Sequence, residues 1–538
     1  MSAAPTLPSV RRPVAVSLGV HIEGVCLPRC DTQDAATAVA GAQKRMMRDV
    51  PLPVGRSRKD RRAILFRLKN YVRTFLKKRL VPLDVKTDVS IEHWLHGTEY
   101  TQARKDEILA CAGVEDLWTN PKYYRNKSFV KEETYPTPKH ARAINSRTDH
   151  FKALTGPYFH AIEQEVLKMP EFVKFVPMDK RPDHILDNVY SPGATYRATD
   201  FTSWESLLTP EVMMACEMQL YRHMTQNVYR GKEFADIVEK ALTGTNQCQF
   251  KWFRLCLAGS RMSGDMCTSL GNGFTNMIVC NFLAAERGGV CYGVFEGDDG
   301  LMRFEPEDCC PTAEDFALLG FVVKMEKHAD LETASFCGMI FDREDRIIVS
   351  DPRKILANTG WAGSAYVMAK PRRLQELLRC KAMSVVAQYS QCPIAGAFAR
   401  KIINGSQISS EAAERFARRD GGLGMWVRGQ MIAAVGKKVE EFNPPPNTRE
   451  LVSRMYGISV ECQLECERRI NDWDGATPLW LPGLEFPDDW REFHDGYVVK
   501  NATKDSGYAF VDVPYWPSAY SLVAEEEPVP APRSSIGS

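Results

Sequence analysis

The residues with the most chemical content are acids. Gly297-Asp298-Asp299 lies inside Tyr292-Gly-Val-Phe-Glu-Gly-Asp-Asp-Gly-Leu-Met-Arg-Phe304, where apolar runs flank a Gly-bounded pair of carboxylates. That pattern predicts a β-hairpin with the acids at its tip. Adjacent carboxylates at such a tip repel each other and call for a cation. Asp200 closes a second strand-like run, Ala194-Thr-Tyr-Arg-Ala-Thr-Asp200. Between the two, Ser263-Gly264-x3-Thr268-x3-Asn272 opens a helix. Three acids converging from two strands, with a Ser/Thr/Asn helix beside them, can build a two-metal site for nucleotidyl transfer.

The elements that must carry these residues follow from periodicity. Asp60 to Leu80 reads as a helix, with Ile64, Leu65, Leu68, Tyr71, Val72, Phe75 and Leu76 on one face and basic residues on the other. Ile91 to Cys111 and Thr155 to Met169 also read as helical, and Ser128 to Arg147 as extended and basic. Thr209-Pro210 starts a helix that runs to His223, and Met266 to Glu286 is a buried helix ended by Gly288-Gly289. After the acid hairpin come a helix near Thr312 to Leu319, a strand at Phe321 to Met325, and a second hairpin through Phe336 and Ile347 to Val349. Strand, helix, helix, hairpin, helix, strand describes an α+β fold. Residues 371–470 are mostly helical, the first sixty read as irregular arms with some strand, and Ala524 to Ser538 reads as a disordered, acidic, Pro-rich tail.

Bulk composition narrows the class without naming a partner. A chain of 538 residues with 44% hydrophobic and 25% charged residues is globular and long enough for several domain-sized units. Its net charge of +1 is uninformative, but its distribution is not. Between Lys44 and Arg79 stand fourteen Lys or Arg against Asp49 and Asp60. Such a segment suits phosphate contacts or an anionic membrane surface, or is a solvated helical face. Sixteen scattered cysteines and the lack of a secretory signal fit reduced thiols in a cytosolic setting. Cys26/Cys30 and Cys462/Cys466 lack the second pair a zinc site wants. There is no run of eighteen apolar residues, no Walker A pattern and no His-Glu-x-x-His, which sets aside membrane spans, NTPase motors and zinc hydrolases.

In combination and order, the motifs resemble those of the RNA-dependent RNA polymerases of positive-strand RNA viruses, closest to the tombusvirus-like and nodavirus-like groups. The similarity covers about residues 131–360. It runs through Phe129-Val-Lys131-Glu132, Lys139-x-x-Arg142-Ala-Ile-Asn-Ser-Arg147, Asp200-Phe-Thr-Ser-Trp-Glu205, Ser263-Gly-Asp-Met-Cys-Thr268-Ser-Leu-Gly-Asn272, Gly297-Asp298-Asp299, Gly320-Phe-Val-Val-Lys324-Met-Glu326 and Phe336-Cys337-Gly338.

The resemblance implies an α+β right hand of fingers, palm and thumb, with an antiparallel palm sheet flanked by helices. Its divisions would be an N-terminal extension with fingertips at 1–127, fingers at 128–195, palm at 196–227 and 263–350, a fingers insert at 228–262, a thumb at 351–480 and a tail at 481–538. Asp200 and Asp298 would hold two Mg²⁺ ions, with Mn²⁺ as a substitute, and Asp299 would assist. Lys324, with Lys327 as its rival, would be the general acid for pyrophosphate. Lys131, Lys139, Arg142 and Arg147 would grip the NTP triphosphate. Ser263 and Gly264 would form a mobile loop that follows the nascent base pair, with Thr268 on the helix behind it. Glu205, where many relatives have Asp, would read the ribose 2′-OH with Asn272. Phe336-Cys337 would shape a primer grip or be a packed hairpin tip. The expected partners are template and product RNA, NTPs and a membrane-anchored viral replication protein, in membrane-associated complexes of the host cytoplasm, with no small-molecule redox cofactor. The rival readings are a reverse transcriptase and an inactive RNA-binding scaffold. Glu296-Gly297 stands where a reverse transcriptase usually has an aromatic residue, and a scaffold has no need of three converging acids.

Overall fold

A computed structural model describes residues 15–23, 32–47, 50–133, 140–436, 440–475, 477–486 and 520–524. Its centre is a four-stranded antiparallel sheet in the order Val290–Glu296, Asp299–Glu305, Tyr196–Phe201, Val323–His328. The first two strands form the expected hairpin around the two-residue loop Gly297-Asp298, and Gly297 takes the left-handed conformation (φ 63°) that such a loop needs. The helix Thr268–Glu286 lies against this hairpin and is buried along most of its length, through Leu270, Phe274, Met277, Ile278 and Phe282. Mixed helices and sheets with an antiparallel centre fit the α+β reading.

A second sheet has the order Tyr520–Ala524, Phe253–Ala258, Thr245–Gln249, Asn126–Val130, Ala143–Arg147. Its strands come from three separate stretches of chain, so two segments read apart in sequence share one layer. Helix Ala35–Arg45 packs Ala38, Val39 and Ala42 on this sheet. That helix corrects the expectation of irregular arms: Ala supplies helix propensity where periodicity is faint, and Asp34 caps it by accepting from the Thr37 N–H. Further upstream, Ala15–Ser17 pairs with Trp361–Gly363, and Val20 and Ile22 sink among the C-terminal helices. The amino-terminal segment therefore touches both the second sheet and the C-terminal helical region.

Helix Arg58–Arg79 forms as expected, opened by a reciprocal Ser57–Asp60 capping box, and it buries Ile64, Leu65, Leu68, Val72 and Leu76. Two expected helices are broken. The stretch 91–111 divides into Ile91–His96 and Gln102–Ala110, and 209–223 divides at Cys216 into Pro210–Ala215 and Glu217–Thr225. Among the described residues between Pro371 and Asp472, six helices form the C-terminal region, from Pro371–Tyr389 to Val460–Asp472. Cys462 and Cys466 both donate to the Pro482 carbonyl, while Cys26 and Cys30 lie outside the described residues. Of the tail expected to be disordered, 525–538 lies outside the described residues, and Ala524 ends a strand paired with Phe253–Ala258. Among the described residues no helix is long and apolar enough to cross a membrane.

Candidate active site

The sheet register assembles the acids. Thr199 pairs with Gly300, so Asp200 and Asp299 come next in register across the two central strands. Glu296 pairs with Asp299, and Asp200 pairs with Lys324. Directly opposed residues share a face. One row therefore crosses all four strands: Glu296, Asp299, Asp200, Lys324. Asp298 stands at the hairpin tip beside this row. Lys327, three residues from Lys324, falls on the other face and is tied to Glu307 at 2.6 Å.

The tip is bolted from behind. Asn276, wholly buried on the long helix, donates its side-chain amide to the Asp298 carbonyl at 3.0 Å and to the Gly297 carbonyl at 3.4 Å. Both bonds use backbone, so they hold the loop and leave the carboxylates free. Asp298 and Asp299 are exposed to solvent, yet protein packs closely around both. Burial, then Glu205 and Asp299, raise the Asp298 pKa to about 6. Burial also raises Asp299, with Asp200 adding to the shift and Cys337, Arg142 and Lys354 opposing it. Glu296 is raised by burial as well, and Ser269 donates to it at 3.4 Å. Among the described residues no three such side chains converge closely enough to form a ready-made metal chelate.

The Phe336-Cys337-Gly338 turn lies beside Asp299. Cys337 (φ 53°) and Gly338 (φ 72°) form the corner, Phe336 and Met339 exchange backbone hydrogen bonds, and Phe336 is buried. Cys337 hydrogen-bonds to Asp299, and its thiol is pushed up by burial and by that carboxylate. The turn is thus a packed hairpin tip in direct touch with the acid row.

The basic residues divide. Arg142 lies near enough for its charge to act on Asp298 and Asp299, but its guanidinium forks onto Glu133, with Nε to Oε2 at 2.8 Å. Lys131 binds the same carboxylate at 2.7 Å, and the two cations hold Glu133 down to about 2 against burial. Lys139 lies outside the described residues. Arg147 departs from expectation: it is buried, forms an ion pair with Asp265 at 2.7 Å, and donates to the Tyr124 and Ala241 carbonyls and to Asn246. It joins the basic strand to the Ser263–Thr268 loop and presents no free fork to a triphosphate.

That loop is anchored. The Ser263 hydroxyl donates to the Ala143 carbonyl at 2.6 Å. Gly264 lies so near the Asn145–Ser146 backbone that a Cβ would meet the Asn145 oxygen at 2.8 Å. Its need for glycine here is close approach, since its φ is not in the left-handed region. Thr268 is the first residue of its helix and ties that end to the loop before it, its hydroxyl donating to the Asp265 and Met262 carbonyls. Asn272 is buried and accepts from Arg261 Nε at 2.9 Å. Glu205 sits on the short helix Trp204–Leu207, with its charge felt at Asp298.

Asn276, Asp265, Glu133 and Lys354 belong to the site although motif reading did not single them out. Asn276 had a signal, as an amide inside an apolar helix, and Asp265 had one in its place after Ser263-Gly264. Lys354 had none.

A family model described as viral RNA-dependent RNA polymerase matches residues 213–475. The match contains the loop, the helix, the acid hairpin and the Lys324 strand. Asp200 lies outside it, and the strand register alone supplies that residue. No curated protein matches the chain.

Proposed function

Because this chain belongs to the viral RNA-dependent RNA polymerase family, we propose that Asp200, Asp298 and Asp299 form the centre of its nucleotidyl transfer. RNA-templated RNA synthesis is the activity of the family, so the partners are template and product RNA and NTPs. The family works with divalent metal ions. A hard, all-oxygen donor set fits Mg²⁺, with Mn²⁺ as substitute. Mg²⁺ keeps its waters and takes only one or two carboxylates beside substrate phosphates, so a sparse protein shell fits it. When bound, such ions favour ionisation of the attacking 3′-hydroxyl and neutralise charge on the leaving pyrophosphate.

The chain's own residues do the rest. Asp298 and Asp299 repel each other and their neighbours until cations arrive. Arg142 and Lys131 exchange Glu133 for the triphosphate, Arg142 by a bidentate fork. Lys139 is kept as a third contact on its motif position. Lys324, beside Asp200 and raised by its hydrogen bond to Glu326, holds the proton that the pyrophosphate receives. Arg147 positions the loop. Glu205 and Asn272 read the ribose 2′-hydroxyl, and Thr268 shapes the start of their helix. The two sheets and the C-terminal helices correspond to palm, fingers and thumb of a right hand, divided as the motifs suggest, with the amino-terminal segment bridging the last two. We place the enzyme in replication of a positive-strand RNA genome of the tombusvirus-like kind, in membrane-associated complexes of the host cytoplasm assembled by a membrane-anchored viral protein. The exposed basic residues Arg56, Arg58, Lys59 and Arg62 support an anionic partner at that end.

The row Asp299, Asp200, Lys324 carries this reading. Its test is primer extension on a defined RNA template with NTPs or dNTPs, with and without Mg²⁺, by wild type and Asp298→Asn. Mg²⁺-dependent extension with NTPs by wild type alone is expected. Preference for dNTPs indicates a reverse transcriptase, and RNA binding without synthesis indicates the scaffold.

A further inference from the structure

Arg261 is wholly buried, and the mechanism above makes no use of it. Its Nη2 meets Glu217 at 2.6 Å, its Nε donates to Asn272 Oδ1 at 2.9 Å, and its Nη1 points to Cys267 Sγ at 3.2 Å. The other oxygen of Glu217 accepts from the Tyr221 hydroxyl at 2.7 Å. The backbone N–H of Arg261 donates to the Glu205 carbonyl at 2.8 Å, and the Ser260 hydroxyl donates to the same oxygen at 3.1 Å. One residue thus binds Asn272 through its side chain and Glu205 through its backbone.

Two features show that the arrangement is specified. Gly259 (φ 68°) and Ser260 (φ 70°) both take the left-handed conformation just before Arg261, and for Ser260 that conformation is strained. Gly271, the neighbour of Asn272, leaves no room for a side chain: a Cβ would meet Glu217 Oε2 at 2.4 Å and Arg261 Nη2 at 2.5 Å. The ion pair therefore sits directly on the helix backbone. A buried pair of this kind adds little stability over apolar residues of equal volume, so its worth lies in orientation.

We infer that Arg261 is a positioning residue for sugar selection: it fixes which way the Asn272 amide points and ties that amide to Glu205. The inference rests on the reading that Asn272 and Glu205 face the ribose. A guanidinium only donates, so Asn272 must turn its oxygen to Arg261 and its NH₂ away. The NH₂ then donates to the ribose O2′, and the 2′-hydroxyl donates its proton to Glu205. A 2′-deoxy sugar leaves both groups without a partner, and a site built on hydrogen bonds to a hydroxyl rejects such analogues strongly.

The experiment compares kcat/KM for an NTP and its dNTP in wild type, Asn272→Ala, Arg261→Lys and Gly271→Ala. Each ratio is measured on one preparation, so any unfolded fraction cancels. Lysine keeps the charge for Glu217, but its one nitrogen cannot occupy the separate places from which Nη2 meets Glu217 and Nε meets Asn272. Gly271→Ala removes no charge and ordinarily favours a helix, so its effect reports displacement of the network. If Arg261→Lys does not fold, Gly271→Ala decides. Expected is a fall in the NTP:dNTP ratio of about tenfold or more in both, approaching that of Asn272→Ala. If Asn272→Ala lowers the ratio while Arg261→Lys and Gly271→Ala keep the wild-type value, the inference is wrong and the ribose reading stands. If Asn272→Ala itself leaves the ratio unchanged, the ribose reading fails and the inference falls with it.

Discussion

Asn276 reaches from a buried helix to two backbone carbonyls of the Asp298 loop, whereas Arg142 and Lys131 both rest on the side chain of Glu133. The first attachment holds main chain and does not occupy the carboxylates of Asp298 and Asp299. The second holds the side chains of two cations. In the mechanism proposed above, the acid half waits for positive charge in a fixed place, and the cationic half must let go of a carboxylate before it takes a phosphate. The acid half pays in repulsion among carboxylates, and the cationic half in an exchange of partners.

Removing an acid is the harshest way to break this contrast. Asp200→Asn or Asp298→Asn is expected to lower primer extension by a thousandfold or more, on the order seen when a member of a catalytic unit is lost. Filter binding should show template affinity retained in both. Loosening the bolt is next. Asn276→Leu keeps the volume of the side chain and loses both bonds to the loop, so kcat should fall by about ten- to a hundredfold through misplaced acids. An unchanged kcat with an intact melting transition would show that the sheet register suffices without the bolt.

The cationic half should respond in KM. Arg142→Ala is expected to raise the KM for NTP by about tenfold, the loss of one charge-assisted fork. Glu133→Gln should move KM the other way, because the fork no longer has a charged competitor. If both variants raise KM together, Glu133 positions Arg142 instead of masking it.

Stability against pH is a smaller effect and reads the acid half alone. Asp298 has a folded pKa of about 6, above its ordinary value of 3.8. The folded state then binds the proton more tightly, so stability falls as pH rises from about 4 to 6 and stays low above. Metal-free Asp298→Asn should melt above wild type at pH 7, and the gap should close below pH 4. Mg²⁺ should narrow the gap at pH 7 by raising the wild-type Tm.

Much of this site was legible because its acids fall on the simplest periodicity there is. A hairpin with a two-residue Gly-Asp loop sets its own register, and that register places Glu296 opposite Asp299. The pairing of Asp200 with Lys324 joins strands far apart in the chain, so its register shows only in the structure. Arg147 was misread because a basic residue in a motif looks the same exposed or buried, and only its distance from Asp265 separates the two. Cys216 interrupts a helical pattern with no Gly or Pro to announce it. Arg61, one of the basic residues in the amino-terminal cluster, donates its guanidinium to the Ala317 and Leu318 carbonyls in the last turn of another helix, which no charge count reveals.

The pairing of Ala15–Ser17 with Trp361–Gly363 has a consequence in time. Ala15 and Gly363 are partners across 363 − 15 = 348 positions of chain. Translation at about 5–20 residues per second leaves roughly 20–70 s between the appearance of one strand and the other. Throughout that interval the first strand has an open edge, and Val20 and Ile22 have no helices to sink into. Contacts so distant in sequence also form late in folding. The later-made strand therefore closes over the earlier-made one, and residues 15–22 find their partners only after the chain that follows them in this region has been made.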